Sequence, residues 1–346
     1  MTDQTPSVSI ILPTYNRLKF LQDAVSAIRE QTLVDWELII VDDGSTDGTV
    51  DRIKELVVGI EQRVHCVRQE NQGAYGARNT GLDHARGRYI AFYDSDDKWL
   101  QHHLQDCVHA MEVNQDVDWT YGACSIHEIH TGKQLTDNTF NVGGEPRPFR
   151  RLSFELRGKL HVITDPNAVH CQLQHGLYSG LQNSVIRRQV FQDYRFETAL
   201  RNEAEDQIIV IRALLAGHRL AYFDQVHVEY HVHDANSSAV GTGGGIDKKI
   251  RVVKAMIAGF DKLLETPGLP MPVRRSIKKR IGRDYFWLLG YSLLWNMGRF
   301  SEAKKMYRRG VQSWPWDWRC WKTLLFAELK TGQNWVSSKS KQTDSR

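Results

Sequence analysis

An α/β fold with a mostly parallel central sheet, followed by an all-helical C-terminal extension, is what this sequence of 346 residues predicts. Three observations carry that expectation. Short apolar, β-branched runs alternate with helical spacing through residues 8–93. Polar loops rich in Gly and Asp follow those runs. Beyond residue 245 the runs stop, and prolines punctuate long stretches of helical pattern. Hydrophobic residues make up 41% and charged residues 25%, an ordinary globular balance that excludes disordered, collagen-like and disulfide-scaffold classes.

Each element follows in order. Val8-Ser9-Ile10-Ile11-Leu12, ended by Pro13, is the kind of run that fits a strand buried on both faces of a parallel sheet. Leu18, Leu21, Val25 and Ile28 give one apolar side of a helix over 17–30. Trp36–Val41 is the second strand, and Asp42-Asp43-Gly44-Ser45-Thr46-Asp47-Gly48 is a loop by composition. A helix from about Thr49, a strand at Val64–Val67, a helix over 74–85 and a strand at Tyr89–Tyr93 complete a βαβαβαβ order. That order implies right-handed crossovers, with ligands beyond the carboxyl ends of the strands.

The loops at those ends are rich in carboxylates. No GxxxxGK[ST] or GxGxxG follows any strand, which disfavours P-loop and dinucleotide binding. Asp94-Ser95-Asp96-Asp97 places three acids in four residues at a strand end. Such acids repel one another unless something positive sits between them. Asp94 and Asp96 suit one hard divalent cation, Mn²⁺ or Mg²⁺, carried in with a substrate diphosphate. The competing reading is that Asp94 or Ser95 caps a helix beginning near Lys98.

Four segments resemble the signatures of the family 2 glycosyltransferases, whose fold is GT-A. They are Val8–Arg17; Ile39–Asp47; Asn71-Gln72-Gly73 with Ala77-Arg78-Asn79-Thr80-Gly81; and Tyr89–Asp97, the DXD-type metal motif. The resemblance is close over about 7–100 and looser to about 238. It implies a Rossmann-like central sheet flanked by helices, and an inverting, metal-dependent enzyme using a nucleotide sugar, UDP-linked as first choice. Pro13, Thr14 and Tyr15 would line the nucleotide pocket, with Tyr15 against the base. Asp43 would accept a hydrogen bond from the base. Asp94, Ser95 and Asp96 would hold the ribose and the metal–diphosphate, and Arg78 would sit near the diphosphate or sugar. Each role is chemically sensible for its side chain.

The acceptor side is expected later in the chain. Residues 123–176 show no clear periodicity and read as an irregular functional loop region. His127-Glu128-Ile129-His130 lacks HExxH spacing and carries no zinc expectation. Gly180–Arg188 resembles the family's strand before its acceptor-side helix. That helix should run over 203–216, opening on Glu203, Glu205 and Asp206. Glu205-Asp206 matches the family's ED motif, which makes Asp206 the general base that deprotonates an acceptor hydroxyl. The bland alternative is stabilisation of a helix N-terminus by acids. Tyr230-His231-Val232-His233 alternates along a strand, and the resemblance implies His233 near the metal.

These readings divide the chain into a GT-A domain over 1–240 (a nucleotide-sugar half 1–122 and an acceptor half 123–240), a basic Trp-rich helical region over 241–336, and a disordered tail over 337–346. Gly241–Gly245 reads as a linker. From Gly245 onward there are 22 Lys and Arg against 8 Asp and Glu, whereas the residues before it carry 23 against 33. The same region holds seven of the ten tryptophans. Either it is a helical bundle with Trp in its core, or its basic aromatic surface meets an anionic membrane or an acidic partner. Nucleic acid is disfavoured by the acidic body. No apolar run reaches about 18 residues, and the N-terminus lacks a signal-peptide core. The expectation is a cytoplasmic protein with room for a peripheral position at the inner face of the membrane. The five cysteines are far apart and form no CxxC.

The donor is then a nucleotide sugar and the acceptor a carbohydrate or lipid-linked hydroxyl, in cell-surface polysaccharide or glycan assembly. Two other classes stand beside this one. One is a non-catalytic nucleotide-sugar-binding module. The other is a nucleotidyltransferase, which should carry a Gly-rich basic loop where Pro13-Thr14-Tyr15-Asn16 stands.

Overall fold

A computed structural model describes residues 5–192, 194–200, 205–233 and 245–329. The chain divides into two compact units, Met1–Thr242 and Gly243–Arg346. Of the expected linker at 241–245 only Gly245, the N-cap of the helix that follows, is among the described residues, and the expected disordered tail at 337–346 lies outside them.

The first unit begins β1 (Val8–Thr14), α1 (Leu18–Arg29), β2 (Trp36–Asp42), α2 (Thr49–Leu56), β3 (Val64–Arg68), α3 (Gly73–His84), β4 (Tyr89–Phe92). β1 pairs in parallel with both β2 and β4, and β2 with β3. Register sets Thr14 opposite Asp42 and Ile11 opposite Phe92, so all three chains leave the sheet along one edge. Side chains alternate between two cores. Ile11, Ile39, Val41, Ile90 and Phe92 face one way; Ile10, Leu12, Leu38, Ile40 and Ala91 face the other. Burial on both faces is why these strands read as continuous apolar runs. The helical layer lies close: a Cβ at Gly81 would come within 2.3 Å of Ile11 Cγ2.

The sheet then changes direction. β5 (Lys98–Trp99), α4 (His103–Val113) and β6 (Trp119–Glu128) follow β4. A helix beginning near Lys98 is not what forms: Val228 pairs with Trp99, and the helix waits until His103. Trp99 is buried and its indole N–H donates to the Gln182 carbonyl at 2.7 Å, which ties the segment to the sheet. The capping explanation for Asp94 and Ser95 goes with that helix.

Residues 123–176 are more regular than their sequence suggests. After β6 come β7 (Gln134–Thr136), β8 (Asn141–Val142), β9 (Glu145–Pro146), β10 (Phe154–Arg157), β11 (Leu160–Ile163) and α5 (Ala168–Gln174). Strands of two to four residues are too short to show a period of two, and β10 is mostly exposed, so no pattern marks them. β12 (Ser184–Arg187), α6 (Glu205–Leu215) and β13 (Leu220–Val232) close the unit. The main sheet runs β10-β11-β13-β6-β12-β4-β1-β2-β3. β12 is antiparallel to both neighbours, and β13 runs parallel to β6.

The second unit is helical over its described residues: α7 (Ile246–Leu263), α8 (Met271–Arg283), a π-helical turn set (Asp284–Leu294), α9 (Phe300–Ser313) and a helix over 318–329. Its core is Phe260, Ile277, Phe286, Leu289 and Tyr307 rather than tryptophan. Trp316, Trp318 and Trp321 are 80%, 68% and 51% exposed. No described helix is long and apolar enough to cross a membrane.

Candidate functional site

The strand ends deliver their loops to one cleft of about 360 Å³. It is lined by Pro13, Thr14, Tyr15, Asp43, Arg78, Asp94, Ser95 and Asp96, every donor-side residue singled out from sequence. Arg17, Asn71, Gly73 and Tyr230 also line it, and sequence reasoning had assigned them no role. Arg17 closes the first motif and Asn71 and Gly73 belong to the third, so only Tyr230 lacked a signal.

The floor is built by loop-to-loop hydrogen bonds. Asn16 adopts φ +51°, a conformation asparagine tolerates. Its N–H donates to Ser45 Oγ at 2.9 Å, and its Oδ1 accepts from Thr46 N–H at 2.9 Å. The β1 and β2 loops are thereby clamped together, leaving Tyr15 48% exposed over the cleft. Asp43 is buried. Its Oδ1 accepts from Gln69 Nε2 (2.8 Å) and Gln72 N–H (2.9 Å), and its Oδ2 from Gly73 N–H (2.8 Å). These last two are free amides of the first turn of α3, so the carboxylate sits where the helix dipole favours it. One lone-pair direction on Oδ2 remains for a ligand.

The acidic turn is held by cations. Arg78, buried on α3, donates to Asp94 Oδ1 at 2.6 Å. Arg17 lies 3.5 Å from Asp96 Oδ2, and His233 Nε2 lies 3.0 Å from the same oxygen. The two strand histidines converge as their alternation requires: His231 Nδ1 is 3.0 Å from the Asp96 carbonyl oxygen. Burial lowers the His233 imidazole below its ordinary pKa, against the pull of Asp96. Asp97 behaves differently. It turns inward, accepts from His231 N–H at 3.1 Å, and leaves Oδ2 buried with no partner. Burial, helped by the Asp96 and Asp94 charges, pushes its carboxyl well above the usual range.

A divalent cation fits this donor set. Asp94 and Asp96 offer carboxylate oxygens to the cleft, and His233 adds an imidazole nitrogen beside Asp96. The 3.0 Å separation of His233 Nε2 and Asp96 Oδ2 matches the edge of an octahedron with bonds of about 2.1 Å.

Asp206 opens α6, as its sequence position requires. It is not a lining residue of the cleft, yet Arg78 and Asp94 both act electrostatically on its carboxylate. Gln207 N–H donates to its Oδ1 at 2.9 Å, and burial raises its pKa. Glu205 beside it is buried, bonded to the Tyr194 hydroxyl, with Oε2 unpartnered. Burial pushes Glu205 up to about 7. Tyr75 on α3 accepts from Glu205 N–H at 3.0 Å and stacks on Phe196, while Asn79 clasps the Phe196 backbone at 2.8 and 2.9 Å. The start of α6 is thus anchored to the helix that carries Arg78. The third motif contained Asn79 but nothing in it announced this anchoring.

The fold is of the GT-A class, with the cleft at the carboxyl ends of its parallel strands. Residues 9–172 match the family described as Glycosyl transferase family 2. The chain is 38% identical over 120 residues to the UDP-Glc:alpha-D-GlcNAc-diphosphoundecaprenol beta-1,3-glucosyltransferase WfgD of Escherichia coli, covering 34% of this chain and 46% of that protein. The chain spans about half the length of the curated relatives it matches. Among solved structures, Staphylococcus aureus TarS 1-349 in complex with UDP-GlcNAc superimposes with a TM-score of 0.62 at 19% identity, covering 89% of this chain and 81% of that one. The mannosyltransferase PcManGT of Pyrobaculum calidifontis, in complex with GDP-Man and Mn²⁺, gives 0.54 at 18% identity, covering 95% and 87%. At these identities the structural likeness speaks for the fold.

Proposed function

We propose that the chain transfers a sugar from a UDP-linked donor to an acceptor hydroxyl with inversion at the anomeric carbon. The observation that carries this reading is the pairing of a cleft lined by carboxylates and two arginines with a half-buried Asp206 whose proton affinity is raised. The names of WfgD and of the TarS complex support a UDP-sugar as donor. The division into a nucleotide half over 1–122 and an acceptor half over 123–240 belongs to the same proposal.

Tyr15 stacks on the base, and the remaining lone pair of Asp43 receives a base N–H. Pro13, Thr14 and Ser95 shape the pocket wall. Asp94 and Asp96, with His233, would hold Mn²⁺ or Mg²⁺. When bound, the ion neutralises charge developing on the departing diphosphate. Arg78 orients Asp94 and presents its guanidinium to the same region. Asp206 removes the acceptor proton as the hydroxyl attacks from the face opposite the nucleotide. A raised pKa makes it a stronger proton acceptor than an ordinary carboxylate.

The acceptor in this reading is a saccharide hydroxyl, lipid-linked as in the name of WfgD, within cell-surface polysaccharide assembly. The exposed aromatic face of the second unit supports a peripheral site on the cytoplasmic membrane surface. Trp318, Trp321 and Leu325 recur at helical spacing beside Arg319 and Lys322, an apolar stripe with cations that suits an anionic bilayer. Co-sedimentation with phosphatidylglycerol vesicles should fall sharply in Trp318→Ser/Trp321→Ser; unchanged binding removes this part of the reading.

The central test is UDP-sugar turnover with Mn²⁺, alongside thermal-shift binding of the donor. Wild type should bind and turn over. Asp206→Asn should bind normally and turn over slowly. A wild type that binds the donor with no turnover on any acceptor favours the binding-module alternative.

A further inference from the structure

A second cluster of ligating side chains lies away from the donor cleft, between α4 and β13. His103 and Cys107 are four residues apart on α4 and therefore share a helix face. His227 comes from β13, where pairing with β6 shifts register between Val226 and Val228. All three residues are 0% exposed. His103 Nδ1 lies 3.2 Å from His227 Nδ1, and Cys107 Sγ lies 3.9 Å from each of those nitrogens. Two imidazole nitrogens and a sulfur thus form a small triangle.

The triangle has the dimensions of a metal site. A tetrahedral zinc ion with N bonds of about 2.0–2.1 Å and an S bond of about 2.3 Å has N···N edges near ~3.3 Å and N···S edges near ~3.6 Å. The observed edges differ from these by a few tenths of an ångström. The surroundings are shaped for the arrangement. A Cβ at position 122 would sit 2.3 Å from His227 Cγ, so the ring is seated only because β6 carries Gly122 there. Asp106 Oδ2 lies 3.9 Å from His227 Nε2, the far ring nitrogen, which is buried without a hydrogen-bond partner, as is His103 Nε2. A proton shared between the two Nδ1 atoms answers one contact and leaves the sulfur only a weak partner. A borderline-soft cation answers all three.

We propose that His103, Cys107 and His227 bind one zinc-class ion that staples α4 to β13. Cys107 binds as the thiolate and gives its proton to solvent, and each imidazole donates a lone pair. The site is structural, and distinct from the oxygen-rich donor site in chemistry as well as place. Its mechanical reach is short. Trp99 packs on His103 at 4.8 Å and on Tyr93 at 4.7 Å, and Tyr93 OH donates to the Asp97 carbonyl at 2.8 Å. The stapled strand β13 runs on to His231 beside Asp96.

The test uses the full chain without a histidine tag. Metal analysis of the protein as purified should find about one zinc per chain. Apo protein titrated with Co²⁺ should develop a thiolate-to-cobalt charge-transfer band and intense tetrahedral d–d bands. Cys107→Ser, nearly isosteric, should retain the wild-type circular dichroism and lose the charge-transfer band. Chelation should lower the unfolding temperature of wild type and leave that of Cys107→Ser unchanged. Mn²⁺ at the carboxylates produces no thiolate band, so the two sites read out separately. Zinc-free protein with no cobalt band overturns the proposal and leaves a histidine–histidine hydrogen bond. A band undiminished in Cys107→Ser overturns it too, by assigning the thiolate to another cysteine.

Discussion

The acids at the end of β4 and the acids at the start of α6 are chemically the same groups used in opposite ways. Asp94 and Asp96 are met by charge, Arg78 on one and Arg17 on the other, with the His233 ring nitrogen beside Asp96 as well. Glu205 and Asp206 are met mainly by burial, with a tyrosine hydroxyl and one backbone N–H as partners. The first pair faces the cleft beside two guanidinium groups, where our proposal puts a divalent cation. The second pair holds protons more tightly, which is the property a proton acceptor needs. Residue type alone distinguishes neither role; what the carboxylate faces does.

The largest break in that comparison is Asp206→Asn. It removes a proton acceptor without changing volume, and turnover should fall by about 10²–10⁴-fold. Donor binding by thermal shift should be unchanged, because the residues proposed to hold the nucleotide lie at the strand ends. A variant that keeps its rate would move the base elsewhere. Asp96→Asn should cost slightly less, about 10²–10³-fold in turnover. Its loss should differ in kind: the Mn²⁺ concentration needed for half-maximal rate should rise. If Asp206→Asn instead shifts the metal requirement and Asp96→Asn does not, the two roles are exchanged.

The cleft at the strand ends was legible in the sequence for a physical reason. Parallel strands buried on both faces must be apolar throughout, so β1, β2 and β4 announce themselves, and their polar loops must then meet at one edge. Asp43, Arg78 and Asp94 could be read off because they sit in contiguous motifs next to such strands. The acceptor side was harder. β5 is two residues long and exists because Trp99 pairs with Val228 more than a hundred positions away, which no local pattern encodes. The short strands β7 to β11 have the same character. The contact of Arg17 with Asp96 and the inward turn of Asp97 depend on side-chain direction within a single loop. His103, Cys107 and His227 carry the lesson furthest: the i,i+4 pair is visible on α4, but its third member lies on β13, and only the fold joins them.

The smallest predicted effect tests burial itself. Glu205 has its pKa pushed up to about 7, first by burial and then by the neighbouring Asp206 charge, while Tyr194 and Arg212 act the other way. Its value in the unfolded chain is near ~4.3. Below that value Glu205 is protonated in both states and costs nothing. As pH rises toward about 7 the folded state keeps a proton that the unfolded state has released, so the folded state binds more protons and stability falls. The loss is complete above the folded pKa. At about 1.4 kcal/mol per unit it is on the order of 3 kcal/mol. Glu205→Gln keeps the shape and a partner for the Tyr194 hydroxyl but cannot ionise. Its unfolding temperature should match wild type near ~pH 4 and exceed it increasingly up to about pH 8. Asp206 titrates in both proteins, so the difference between the two curves isolates Glu205. Parallel curves would mean that Glu205 is as well solvated as the acids at the strand ends, and the contrast between the two pairs would rest on Asp206 alone.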